Sequence, residues 1–253
     1  CCNSVTLVAS VGDDESQRQV IMDSLRPNVD FVPVVTPDRT TVRKRRFIEP
    51  GHLTKLFEVQ YLDESDLLPE TERNAAQTFE RLLPKHDLAV VNDFGHGFLT
   101  LALRQQLSES ETFLALNTQT NSANLGFNLI NKYPRANYCC IDLAESRLAS
   151  GLAQGTAIEC ASKLIEGMDA DWFMTTTGRG GASVIDRDGH RYESPALSLD
   201  VVDRVGAGDA FFALTSPWAF KKYPTDLVGL IGNVSGALHI GTVGNREGID
   251  KIH

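Results

Sequence analysis

The apolar positions of this chain gather into short unbroken runs that end in polar residues. "DLAVVNDFG" (87–95), "TFLALNTQT" (112–120), "NYCCIDLAE" (137–145) and "DWFMTTTGRG" (171–180) each give way to a stretch of helical period. Apolar runs without polar alternation suit strands buried on both faces, and their alternation with helices predicts a parallel sheet. Ligands of such sheets bind beyond the carboxyl ends of the strands, so Asn92, Asp93, Asn117, Asp142, Thr176 and Thr177 are expected to line one crevice. For any one of them the alternative is an ordinary turn former or helix cap.

Residues 29–62 follow another pattern: β-branched and aromatic positions alternate with polar ones around a Pro50-Gly51 turn. That predicts an antiparallel flap of strands inserted into the α/β body. The run Arg43-Lys44-Arg45-Arg46 falls inside it, with Arg43 and Arg45 on one strand face and Lys44 and Arg46 on the other. Two readings stand side by side: a solvated face that discourages edge pairing, and recognition of a substrate phosphate.

Composition narrows the chemistry. The 253 residues are 42% hydrophobic, enough for a large core, and one main domain is expected. With 24 basic against 33 acidic side chains the net charge is −9, which disfavours nucleic acid and anionic membrane surfaces as partners and favours a small molecule. Five cysteines without a CxxC suit a reducing cytosol, and six scattered histidines show no zinc spacing. No run approaches a membrane span and "CCNSVTLVAS" lacks a signal peptide's basic head, so a cytoplasmic protein is expected. The first strand-like run, Val5–Val11, starts almost at once and without a preceding Met, which suggests that an N-terminal part of the natural protein is missing.

The chemistry concentrates in "DRVGAGDAFF" (203–212). Helical spacing begins at Ala207, so the Gly-Ala-Gly run sits at a helix N-terminus, where unpaired amides and the positive dipole end attract an anion. Asp209 falls in the first turn, where it could accept a proton from a hydroxyl attacking a phosphoryl group held by the loop. It could equally be an acidic residue favoured by the dipole alone. Upstream, "TTTGRGGASVIDRDGHRY" (175–192) predicts a strand, a glycine turn at Gly178, Gly180 and Gly181, and a hairpin closed by Asp188-Gly189. The glycine turn is neither a Walker loop nor a dinucleotide fingerprint, but could admit a nucleotide.

Residues 200–213, "DVVDRVGAGDAFFA", resemble the C-terminal signature of the ribokinase-like (PfkB) carbohydrate kinases, D-T-x-G-A-G-D-x-F, at Asp203, Gly206, Ala207, Gly208, Asp209 and Phe211. "ASVGDD" (9–14), the 29–62 stretch as lid, "TGRGG" and "VSGALHIGTVG" (234–244) extend the resemblance over essentially the whole chain, and "VNDFGHG" with "TTVRKRRFI" resembles the heptose-7-phosphate kinase branch. The resemblance implies a three-layer αβα fold with a mainly parallel central sheet, residues 1–253 forming an N-terminally incomplete kinase domain and 29–62 a β lid that excludes water. It implies Asp209 as catalytic base and the amides of Gly206, Ala207 and Gly208 as phosphoryl stabilisers. Thr177, Gly178, Gly181, Asp203, Gly206, Gly208 and Asn233 would bind ATP. Glu145, in "IDLAES", matches the Glu of the family's N-x-x-E motif and would organise Mg²⁺ through water together with Asp142. Asp93 and Asn117 are candidates for sugar hydroxyls, and Lys44, Arg46 and His96 for a substrate phosphate. A monovalent cation beside the anion loop, a homodimer through the lid and an additional domain in the full-length chain are further expectations.

The sequence departs from the family pattern in four places. Asp142 replaces Asn, Arg204 replaces Thr, His96 stands where the heptose kinases have Lys, and the glycine-rich N-terminal signature with its sugar-gripping Asp is absent. The reading is therefore an ATP-dependent phosphotransferase acting on a sugar or sugar phosphate. Its rival is a catalytically degenerate nucleotide- or sugar-binding module of a larger protein, favoured by these departures and opposed by the intact GAGD and Glu145.

Overall fold

The structure is a computed structural model; it describes residues 2–37, 39–49, 51, 54–63, 65–120, 124–197 and 205–241. The chain divides into two compact units. The smaller comprises Cys2–Arg81 and His96–Leu103; the larger comprises Leu82–Gly95 and Arg104 onward. Among the described residues the N-terminal strands form two two-stranded sheets, and the others form a six-stranded sheet.

In the smaller unit β1 (Val5–Val11) is followed by α1 (Glu15–Ser24), whose N-cap Asp14 accepts from Ser16 N. The chain returns as β2 (Val29–Val35), which pairs parallel with β1 from Val5↔Val29 to Val11↔Val35. This corrects the flap expected over 29–62: the antiparallel pairing is confined to β3 (Arg43–Glu49) and β4 (Thr54–Tyr61). A helix between β1 and β2 makes a parallel crossover the natural connection, and alternation alone had not distinguished it. The last element of this unit is α2 (Pro69–Leu82), whose Glu72 carboxylate accepts from Thr100 Oγ1 at 2.5 Å.

The larger unit holds a six-stranded sheet in the order β10-β9-β8-β7-β6-β5. The four strands read from the apolar runs are β5 (Leu88–Asp93), β6 (Phe113–Thr118), β7 (Arg135–Asp142) and β8 (Asp169–Thr176), all mutually parallel. β9 (Ala182–Asp186) and β10 (Arg191–Ser194) add the expected hairpin, with Gly189 at φ 83° in its turn. Helix α3 (Leu101–Glu109), from Arg104 onward, α4 (Leu143–Ser150), α5 (Ala157–Gly167), α6 (Ala207–Phe220) and α7 (Thr225–Ile240) complete it.

Side-chain alternation explains the layers. Ala115, Tyr138, Cys140 and Met174 point to one face and form a buried cluster with Phe211 and Phe212 of α6 and Val228 of α7. Thr175, of opposite parity, bonds Ser146 of α4 on the other face. A sheet covered on both sides needs unbroken apolar strands, and the burial of β6, complete from Leu114 to Thr118, shows this. Cys139, Cys140 and Cys160 are buried free thiols, and none of the helices described is long and apolar enough to cross a membrane.

Gly181 shows how tightly the loop after β8 is held. At φ +91°, a Cβ there would stand 1.9 Å from Ser194 O and 2.7 Å from Ala196 N. Gly181→Ala is expected to lower stability by about 2 kcal/mol or more through left-handed strain and the backbone clash, measured by urea denaturation. Wild-type stability would contradict this packing.

Candidate functional site

Four parallel strands deliver polar residues to one rim of the larger unit, and α6 begins beside them. Its N-cap, Gly206, takes φ 85° and supplies no side-chain cap, and the first intrahelical bond runs from Ala210 N to Gly206 O at 2.9 Å. The amides of Ala207, Gly208 and Asp209 therefore have no partner within the helix. A Cβ added at Gly208 would meet open space, so that face of the turn has room for a ligand. His239 Nε2 of α7 donates to Val205 O at 3.0 Å and ties the turn to the neighbouring helix.

Beside this turn lies a cleft of about 240 Å³. Gly178 and Gly181 form one wall and Ala207 and Gly208 another, while Leu197, Phe211, Ala237 and Ile240 supply apolar surface. The expected nucleotide residues Gly178, Gly181, Gly208 and Asn233 thus come together. Thr176 lines the cleft, whereas Thr177 closes the glycine turn from within, donating its N–H and hydroxyl to Gly181 O at 2.8 and 3.1 Å. Asn233 is 8% exposed and its amide nitrogen donates to Ser194 O, Ser194 Oγ and Pro195 O, fixing α7 against the end of β10. Asp203 and Arg204 lie outside the described residues.

The carboxylates fare differently from one another. Asp209 is half-buried, and its Oδ1 accepts from Gln119 Nε2 at 3.0 Å. Glu145 and Asp142 form a capping box on α4: Asp142 Oδ1 accepts from Glu145 N at 2.8 Å, and Glu145 Oε2 from Asp142 N at 3.1 Å. Glu145 Oε1 also accepts from Thr120 N at 2.9 Å. Burial, reinforced by the Asp142 charge, pushes the Glu145 carboxyl up to about 7. A carboxylate offers roughly four acceptor positions, so Glu145 fits a metal-bound water as well as its backbone bonds. Asp142 meets the capping alternative raised from the sequence.

Asp93, expected at sugar hydroxyls, is 5% exposed and bound from within: Gly95 N at 2.8 Å, Tyr133 hydroxyl at 2.7 Å and Lys132 Nζ at 2.6 Å. Asn117 is 6% exposed and donates to Cys140 O at 2.7 Å. Neither offers an open side chain to a substrate. Lys44, Arg46 and His96 belong to the smaller unit. Arg46 pairs with Glu58 at 2.8 Å and Arg43 lies over Tyr61, 4.3 Å from its ring centre, while Lys44 and His96 are half-buried.

Sequence reasoning missed Gln119 and Thr120. Positions 113, 115, 117 and 119 share one parity on β6 and its extension, the face that α6 covers, so that alternation carried the signal for Gln119.

Comparison with known proteins follows this geometry. The family described as pfkB family carbohydrate kinase matches residues 1–252. The bifunctional protein HldE of Rhodopseudomonas palustris is 23% identical over 245 residues, covering 95% of this chain and 49% of its own length. The HldE of Paramagnetospirillum magneticum is 25% identical over 244 residues, covering 94% and 48%. The chain spans about half the length of the curated relatives it matches. Phosphofructokinase-2 from Escherichia coli, solved in complex with potassium, superposes with a TM-score of 0.77 at 12% identity over 96% of this chain and 78% of its own. Ribokinase from Thermotoga maritima gives 0.68 at 15% over 94% and 75%. The fold is ribokinase-like.

Glu145 provides a direct check on the electrostatics of the rim. Its carboxyl is raised in the folded state from an ordinary 4.5 to about 7, so the protonated form favours folding and its stabilisation is lost as pH rises through that window. Glu145→Gln cannot ionise, and its stability relative to wild type is expected to improve between about pH 4.5 and 7, with a ceiling on the order of 3 kcal/mol. Urea titrations at stepped pH test this; parallel curves for the two proteins would refute it.

Proposed function

Since the chain belongs to the pfkB family of carbohydrate kinases, we propose that it transfers the γ-phosphoryl group of ATP to a hydroxyl of a sugar or sugar phosphate, in the manner of a heptose-7-phosphate kinase. The observation that supports this most directly is the meeting of an uncapped helix N-terminus, a glycine-walled cleft and the Asp209 carboxylate within one unit. An apolar slot between Leu197, Phe211 and Ile240 suits a nucleobase, with the phosphates running toward the 207–208 amides.

In this reading Asp209 takes the proton of the acceptor hydroxyl, and the amides at the start of α6 stabilise charge on the transferring group. Glu145 would hold Mg²⁺ through water, and the ion when bound would supply neutralising positive charge to the phosphates. Thr177 and Gly181 shape the loop that covers the nucleotide. Lys44, Arg46 and His96 stay candidates for an acceptor phosphate by resemblance alone, as does a monovalent cation beside the 206–208 turn. Asp93 is left out of the sugar contacts because its carboxylate is already satisfied inside the protein.

The likeness of "VNDFGHG" and "TTVRKRRFI" to the heptose-7-phosphate kinase branch favours a heptose phosphate acceptor, and relatives that are bifunctional and about twice as long favour an additional domain in the full-length protein. The β3–β4 hairpin exposes Ile48, Leu56 and Phe57, the last two 63% and 54% exposed. Pairing of this hairpin with a second copy would cover them, and Phe57→Glu is expected to turn a dimer into a monomer in light scattering. A wild-type monomer at working concentration would exclude that pairing.

The activity test uses the full-length protein with γ-labelled ATP and a panel of hexoses, heptoses and their phosphates. Label should reach one acceptor, and Asp209→Asn should lower kcat by about 10²- to 10⁴-fold with ATP affinity retained in calorimetry. An unchanged kcat removes Asp209 as base. ATP binding without transfer to any acceptor would replace the kinase with a binding module.

A further inference from the structure

We infer that Gln119 is a positioning residue for Asp209, held by a buried network centred on Asp93. The inference rests on the kinase reading only in naming Asp209 the base. Its own support is geometric and lies wholly within the larger unit.

The network starts at the end of β5. Asp93 O accepts from Gln119 N at 2.9 Å and from Asn128 Nδ2 at 2.8 Å, and the same Asn128 amide donates to Gln119 O at 2.9 Å. Gln119 is thus clamped at both its main-chain N–H and its carbonyl. Asn128 is itself held, since Lys132 Nζ bonds its Oδ1 while also pairing with the Asp93 carboxylate. The Tyr133 hydroxyl closes the network on Asp93 Oδ2, and burial followed by the Asp93 charge raises its pKa, so that it stays a donor. Gly95, at φ +73°, fits under this network because a Cβ there would stand 2.4 Å from Asn124 Nδ2 and 2.8 Å from Asn128 Cγ.

From this anchored backbone the Gln119 side chain reaches across 90 positions of sequence to Asp209 Oδ1 at 3.0 Å. The next residue, Thr120, donates its N–H to Glu145. Two successive residues therefore tie the end of β6 to both carboxylates of the proposed chemistry. An amide donor on Asp209 selects one orientation of the carboxylate and favours its ionised form. The Asp93 carboxylate supports this clamp through Lys132 and Asn128.

Gln119→Leu removes the donor at similar volume, and Gln119→Glu replaces it with a like charge. In the full-length protein Gln119→Leu is expected to lower kcat about 10- to 100-fold, the cost of losing a hydrogen bond to a charged group. KM for ATP should stay within twofold, and the acid limb of the kcat–pH profile should move to higher pH. Gln119→Glu should move that limb upward as well, whereas a residue that only supported folding would lower thermal stability without moving the profile. Carbon-13 NMR of the Asp209 carboxyl, in wild type and both variants, reads the contact without turnover. An Asp209 titration unmoved in both variants overturns the inference even if the wild type is an active kinase. A moved titration in a wild type that phosphorylates nothing supports the contact and overturns the kinase reading.

Discussion

The position of the rim chemistry depends on how α6 is seated on β7. Tyr138 is fully buried, its ring stacks on Phe212 with centroids 6.0 Å apart, and its hydroxyl meets Thr215 Oγ1 at 2.8 Å. A buried hydroxyl costs free energy unless it is bonded, so this pair admits one axial register of helix on strand. A slip of one turn would shift the helix by about 5.4 Å, carrying Gly206–Gly208 away from the strand ends and separating Asp209 from Gln119. Phe211 enforces the second spacing, since its ring occupies the place a Cβ at Gly232 of α7 would take, at 2.3 Å. The glycine turn is placed by aromatic packing deep in the core.

The same unit buries two carboxylates by opposite means. Asp93 is surrounded by an amide, a phenol and an ammonium group, so its charge is compensated within the protein. Glu145 receives backbone donors, but burial and, after it, the like charge of Asp142 hold its carboxyl up at about 7. On the kinase reading, a cation bound there would favour the ionised form, because it would supply the compensation that the fold withholds. Asp93 is thereby suited to rigidity and Glu145 to a ligand-dependent charge, a distinction set by surroundings and not by residue type.

Much of this was legible in the sequence. The runs that became β5 to β8 were readable because burial on both faces leaves no polar alternation, and the start of α6 at Ala207 because glycine spacing and helical period change at one point. The β9–β10 hairpin was announced by Asp188-Gly189. What was not legible was pairing and occupancy. β2 showed a strand's alternation, but its parallel partner β1 is non-local and left no mark within residues 29–62. Asp93 and Asn117 were correctly placed near strand ends, yet their partners Tyr133, Lys132 and Cys140 arrive from distant segments, so local pattern could not show that these side chains were already engaged. Gln119 lay just past an apolar run, where strand parity extended two residues further would have pointed it toward α6.

The rim also reconciles the two readings open for each polar strand-end residue. Asp142 and Thr156 both cap helices through capping boxes, with Glu145 and Glu159 as the reciprocal partners. Such caps satisfy the first amides of α4 and α5 from within. At α6 the equivalent position is Gly206 in a left-handed conformation, with no side chain to do so. The left-handed backbone at φ 85° suits glycine and disfavours the Ser or Asp that caps helices from an extended conformation. A carboxylate cap in that place would repel a phosphate and occupy the amides it needs. The start of α6 therefore has no side-chain cap, whereas α4 and α5 are closed by their own side chains, and on the kinase reading this difference leaves the α6 amides to a phosphate.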